Sequence, residues 1–254
     1  MKFLLVYRDE RFSPGAVDRD KAMLDKVAQL MADFADSEIK MLHESELQEV
    51  CAADYAGFTV IHMTRSAEAF AKLTEIQSFG AHVFNPPAAI KGCSRANIEN
   101  AMEANNLPTP KSLVEQHPNL AGKGWWVKAN NTADSSPSHI QFFKTLPEEL
   151  AARVQKHDES LLVQPHIEGL GLKFYGVRGT DFFHVREDVS PTVLQLLKGN
   201  ANCLADALSL DIYGGDAILT SDGLLTIIDF NDFPSFSSCR ELAAEAIKYL
   251  VSGI

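Results

Sequence analysis

The first third of the chain alternates between short apolar runs and stretches of helical periodicity. Residues 2–7, Lys-Phe-Leu-Leu-Val-Tyr, read as a buried strand. Over 20–34, Met23, Leu24, Val27, Leu30, Met31 and Phe34 recur at i, i+3, i+4 spacing, the stripe of an amphipathic helix. Further short strands are expected at 38–42, 58–63 and 81–84. Between the last two, Ser66 caps a helix that runs to Phe79 and is ended by Gly80. Strands alternating with helices predict an open α/β sheet of parallel type, which binds ligands at the C-terminal ends of its strands. Arg8, Glu10, Arg11, Thr64 and Arg65 fall at that edge, where they either touch a substrate or stay as hydrated loop charges.

The pattern then changes. Ser94 caps a helix over 95–105, which Asn106-Leu-Pro-Thr-Pro terminates because proline cannot continue it. Gly124-Trp-Trp-Val-Lys128 is a strand ending in a lysine, and a polar stretch, 129–139, leads into a strand at 140–143. Thr145-x-x-Glu148 has the form of a capping box opening a helix to Lys156. Leu-Leu-Val-Gln-Pro-His-Ile-Glu-Gly occupies 161–169, a strand follows at 172–177, and Phe-Phe-His-Val-Arg covers 182–186. The last segment, 239–254, is an amphipathic helix with a second capping box, Ser238-x-x-Glu241, and a packed face of Leu242, Ala246, Ile247 and Leu250.

The chemistry concentrates at 226–236, Thr-Ile-Ile-Asp-Phe-Asn-Asp-Phe-Pro-Ser-Phe. Residues i and i+2 of a strand share a face, so Asp229 and Asn231 project together. Thr220-Ser-Asp-Gly223 reads as a hairpin turn, since Asp-Gly supplies the positive φ values of a tight turn, and the hairpin returns Asp216 beside the pair. Two carboxylates and an amide oxygen are hard ligands suited to Mg²⁺ carrying nucleotide phosphates.

Composition narrows the field. At 254 residues, 46% hydrophobic and 22% charged, the chain is ordinary globular protein. A net charge of −11 argues against a nucleic-acid partner. No apolar run reaches the length of a membrane span, and Tyr7-Arg8-Asp9-Glu10 interrupts the N-terminal run at once, unlike a signal peptide. Cys51, Cys93, Cys203 and Cys239 are scattered, as in a reduced, cytoplasmic protein. The loop after the first strand lacks Gly-x-Gly-x-x-Gly, which argues against a dinucleotide dehydrogenase.

The ordered motifs from about residue 85 onward resemble the ATP-grasp superfamily. Asn85-Pro-Pro, a basic residue (Arg95), a helix and Leu-Pro-Thr-Pro resemble the passage joining its substrate-side and ATP-binding parts. Asp216 with Asp229-x-Asn231 resembles its metal end, and Asp-x-Asn-x-Phe-Pro is similar to the inositol-trisphosphate kinase branch. The resemblance implies an N-terminal pre-ATP-grasp, Rossmann-like α/β sheet (1–90) followed by α+β lobes at 91–165 and 166–254. It implies ATP and Mg²⁺ as cofactors and Asp216, Asp229 and Asn231 as metal ligands. Lys128 and His139 would meet the phosphates, and Gln164, Pro165, His166, Ile167 and Glu168 the adenine and ribose. Lys173 would contact a phosphate or substrate anion, and Arg186 the charge that develops at transfer. The polar loop 129–138 departs from the family in having Ser, Asn and Pro where glycines are usual. Three functions stay open: a ligase activating a small carboxylate for attack by an amine, a small-molecule kinase, and a nucleotide-binding module without turnover. Members of the family often form homodimers.

Overall fold

The computed structural model describes residues 1–13, 15–120, 123–130, 140–156 and 160–253. The N-terminal sheet has the strand order β2-β1-β3-β4, from β1 (Lys2–Tyr7), β2 (Glu38–His43), β3 (Thr59–His62) and β4 (His82–Val83). Every pairing in it is parallel, as the alternation predicts. α1 (Val17–Met31) starts earlier than the apolar stripe and buries Met23, Leu24, Val27 and Met31. α2 (Ala67–Ser78) has the expected cap, Ser66 Oγ accepting from Ala69 N, and Gly80 follows with φ +93°. Leu4 and Val6 pack toward α2, while Phe3 and Leu5 face α1.

Three helices lead out of this sheet: α3 (Pro87–Lys91), α4 (Arg95–Ala104) and α5 (Pro110–Gln116). Ser94 caps α4 through Asn97 N, as expected. A second sheet, antiparallel and ordered β6-β5-β7, comprises β5 (Trp125–Ala129), β6 (Ile140–Phe143) and β7 (Leu161–Pro165), with α6 (Glu148–Gln155) between the last two. The third, ordered β11-β10-β8-β9, holds β8 (Leu170–Val177), β9 (Phe183–Val185), β10 (Ile212–Leu219) and β11 (Leu225–Asp232).

α7 (Pro191–Leu208) packs Leu197, Ala201, Leu204, Ala205 and Leu208 on the third sheet. The sequence reading passed over this helix, although Ser190 at its cap, Pro191 in its first turn and the 197/201/204/208 spacing all announce it. α8 (Arg240–Ser252) closes the chain against α1 and the first sheet.

Two expected caps are corrected. α6 begins at Glu148, with Pro147 O accepting from Ala151 N, so Thr145 lies outside the cap. α8 is capped at Cys239 with no side-chain bond, and Glu241 pairs with Lys26 of α1 at 2.5 Å instead of closing a box with Ser238. The buried face of α8 is Ala243, Ala244, Ala246, Ile247 and Val251, whereas Leu242 is 56% exposed.

Asn85, buried with φ +49°, ties the first sheet to the third. Its Nδ2 donates to Ile212 O at 2.6 Å, and its Oδ1 accepts from Asp211 N at 2.7 Å and Ile212 N at 2.9 Å. Among the described residues no helix is long and apolar enough to cross a membrane.

Candidate nucleotide and metal site

β10 and β11 form the hairpin that the turn signal foretold, at the same residues, Thr220–Gly223, but with Gly223 and not Asp222 at positive φ. Gly223, at φ +81°, is the turn residue in the left-handed region; its N–H bonds Thr220 O at 3.0 Å, and Thr220 N bonds Leu224 O at 2.9 Å. From the turn the register runs Leu219↔Leu225, Ile218↔Thr226 and Ala217↔Ile227. It then shifts by one, so Asp216 faces Asp229 and Gly214 faces Asn231. Ile228 is the extra residue of this β-bulge; had the register continued unshifted, Asp216 would face Ile228. Asp216 and Asp229 therefore share a face, and Asn231 Nδ2 donates to Asp229 Oδ2 at 3.1 Å.

This donor set fits a hard divalent cation: two half-buried carboxylates and an amide two residues on. As placed, Asn231 turns its nitrogen toward Asp229, so ligation by its oxygen requires the amide to flip. Among the described residues no group of three His, Cys, Asp or Glu could hold a metal, so this smaller set is the candidate.

A cavity of about 270 Å³ lies between the second and third sheets. Trp126, Lys128, Ile140 and Gln164 line one wall, and Asp216, Ile218, Ile228 and Asp229 the other. Pro165, His166 and Ile167 also border it. The wall follows from register: Trp126 opposes Gln164, Lys128 opposes Ile140, and positions 126 and 128 share a face. Glu168 is exposed, pairs with Lys123 at 3.2 Å and does not line the cavity. His139 lies outside the described residues, as does most of the polar loop before it.

Fewer hinge donors remain than the resemblance implies. Pro165 has no N–H, and the N–H of His166 bonds Gly124 O at 2.8 Å, leaving those of Ile167 and Glu168. Trp126, which the sequence reading did not single out, donates Nε1–H to His166 Nδ1 at 3.0 Å. In a neutral imidazole, this leaves the proton on Nε2. The signal was available, since Trp126 stands two residues before Lys128 and shares its face.

Lys128 is 7% exposed and bridges the two walls, its Nζ donating at 2.8 Å to the carbonyl of the bulged Ile228. Burial lowers its pKa, Arg95 adds to the effect, and Asp229 opposes it. Arg95 donates to Ala129 O, while its Nε is buried with no partner among the described residues. Glu99, its pKa raised by burial, accepts from Gln164 Nε2 at 3.4 Å.

Lys173 and Arg186 stand outside the cavity lining. Lys173 Nζ holds both oxygens of Asp216, at 2.8 and 3.0 Å. Arg186 is exposed and pairs with the adjacent Glu187 at 2.6 Å.

Of the arginines at the edge of the first sheet, Arg11 is a hydrated loop charge, its side chain 63% exposed, whereas Arg8 and Arg65 are enclosed in ion pairs. Arg8 donates to Met63 O at 2.9 Å, to Ser13 Oγ at 2.6 Å and to Asp20 at 3.1 Å. Arg65 Nη1 pairs with Asp232, directly after Asn231 on β11. Asp232 is 5% exposed; burial raises its pKa, but Arg65, Arg8 and His62 together outweigh burial and leave it lowered. The site strand is thus clamped to the first sheet through a buried ion pair.

No protein-family model matches the chain, and neither does any curated protein. Solved structures do match along its length. D-alanyl-alanine synthetase A from Vibrio cholerae O1 biovar eltor aligns with TM-score 0.69 at 13% identity, over 100% of this chain and 98% of its own. D-cycloserine synthetase DcsG gives 0.66 at 13% identity, over 98% and 99%. The ATP-grasp ligase PsnB, in complex with a minimal precursor, gives 0.61 at 14% identity, over 96% and 98%. At such identities the likeness is one of architecture, and it agrees with the order of motifs along the sequence: the chain has the ATP-grasp fold.

Proposed function

We propose that this protein is an ATP-dependent carboxylate–amine ligase acting on small molecules. The observation that carries the reading is the cavity itself, which gathers Lys128, Gln164, His166, Asp216 and Asp229 between two antiparallel sheets. The ligase class is supported by the similar structures, which are synthetases and ligases, one of them holding Mg and ADP.

In this reading the adenine lies against Trp126, Ile140 and Ile167, and Lys128 directs its buried charge at the phosphates. Asp216, Asp229 and Asn231 would hold Mg²⁺, which would supply positive charge against the phosphates. The substrate carboxylate attacks the terminal phosphorus as ADP leaves. The amine then attacks the acyl carbon, phosphate departs, and the nitrogen gives up a proton. No side chain forms a covalent bond, so catalysis rests on positioning and charge.

An inositol-phosphate kinase would need several unengaged cations facing its substrate. Arg8 and Arg65, at the edge where that substrate would enter, are committed to Asp20 and Asp232. This weighs against the kinase.

Titrating the protein with ATP, with and without Mg²⁺, tests the site. At an ATP concentration about 100 times the dissociation constant of the Mg²⁺ complex, the fold should gain about 3 kcal/mol with Mg²⁺ and less at the same ATP concentration without it. Asp229→Asn removes a ligand charge at constant volume, so its unfolding curve should match wild type while turnover drops about 100-fold or more. Undiminished turnover in that variant would refute the metal assignment. ADP release with amino acids but not with polyols separates ligase from kinase.

A further inference from the structure

A row of charge crosses the third sheet beside the cavity. Lys173 on β8 is the register partner of Asp216 on β10, and Asp216 that of Asp229 on β11. Directly opposed residues of antiparallel strands point to the same face. The order across the sheet is therefore cation, anion, anion. The cation is engaged with one side only: Lys173 Nζ donates to Oδ1 of Asp216 at 2.8 Å and to Oδ2 at 3.0 Å. Asp229 receives the Asn231 amide.

The backbone of Lys173 is pinned while its side chain has room. Its N–H donates to Glu187 Oε2 at 2.7 Å, and its carbonyl accepts from Arg186 N at 2.9 Å. The side chains of the pair are 32% and 39% exposed. A lysine is a flexible point charge that can change partner without moving the strand.

We infer that Lys173 is the resident counter-ion of Asp216 in the nucleotide-free protein, and that its ammonium passes to the nucleotide phosphates when a divalent cation is bound. The inference rests on the metal reading of Asp216 and Asp229. An ammonium donating to both oxygens of Asp216 occupies the lone pairs a cation would use. It also offsets the repulsion between two carboxylates that the bulge brings face to face. On leaving, it needs another anion, and phosphate supplies one. The cation and the nucleotide therefore help each other to bind, with Lys173 as the link, and the coupling is reciprocal.

The test is Mn²⁺ binding, followed by electron paramagnetic resonance, with and without a non-hydrolysable ATP analogue. Lys173→Met keeps the apolar stem and removes the competitor, so it should bind Mn²⁺ alone about threefold more tightly than wild type, the modest factor expected of a half-exposed pair. The gain in Mn²⁺ affinity on adding the analogue should be smaller in the variant than in wild type. Lys173→Arg, which keeps a cation, should return both quantities toward wild type. A lysine that only supports the sheet, or only contacts phosphate, would leave the affinity for Mn²⁺ alone unchanged, and that result overturns the proposal. Absence of Mn²⁺ binding to wild type and variant, with or without the analogue, would overturn the metal reading as well. Asp229→Asn, expected to lose Mn²⁺ in both conditions, shows which has failed.

Discussion

A single extra residue, Ile228, decides which side chain faces Asp216. The bulge aligns the two carboxylates and also exposes the carbonyl that Lys128 reaches from the opposite sheet. Its setting is tight. A Cβ placed on Gly215 would lie 2.3 Å from the backbone oxygen of Asp229 and 2.6 Å from the Phe174 ring. Gly215→Ala should therefore cost about 1–3 kcal/mol and move Asp229, lowering both the denaturant midpoint and Mn²⁺ affinity. A variant with both quantities unchanged would show that the strand pair is looser than described. At this scale the sequence was informative about identity and less so about alignment. Asp229 and Asn231 were legible because a strand repeats every two residues, and Asp216 because a turn signal separates it from them. The bulge was not legible, since no local pattern marks Ile228 as the extra residue of the pair.

Between elements, the governing contact is the buried pair of Arg65, after β3, and Asp232, at the end of β11. Arg65→Met would leave a buried carboxylate without its cation, at a cost of about 3–5 kcal/mol. Adding Asp232→Asn should recover part of that loss in urea unfolding, and failure to recover any would show that the charges do not act as a pair. The sequence left Arg8 and Arg65 open between substrate contact and solvation because the carboxylate that pairs with Arg65, Asp232, lies 167 residues further along, and the carbonyl of Met63 that holds Arg8 lies 55 further along. Periodicity within a window cannot reveal such a partner. Caps followed the same division. Ser66 and Ser94 were correctly read from local sequence, whereas Ser238 lost its role once Glu241 paired with Lys26 on another helix.

For the molecule as a whole, His62 makes one contribution to the pH dependence of stability, between pH 6.5 and pH 4. It is fully buried, with Nε2 against Asn85 O at 3.1 Å and Nδ1 against Thr64 Oγ1 at 2.9 Å, and burial holds its pKa down to about 4. Asp232 and Glu44 favour its protonation and Arg65 opposes it. The unfolded chain takes up that proton first, so the stabilisation is complete above pH 6.5 and is lost as pH falls toward 4, about 1.4 kcal/mol per unit and about 3 kcal/mol in all. Urea unfolding at pH 7 and pH 4.5 should show the loss, and His62→Gln should flatten it; equal slopes in the two proteins would exclude His62 as its source. The parallel type of the N-terminal sheet was legible at this scale, and its strand order and the sharing of its core were not. Phe3, Leu5 and Met23 lie in one cluster with Phe236, Ala243, Ile247 and Val251. On the ribosome, the face of the first sheet that packs α1 must therefore wait only partly covered until α8 has been synthesised. The interval invites chaperones, and rare codons late in the message would lengthen it.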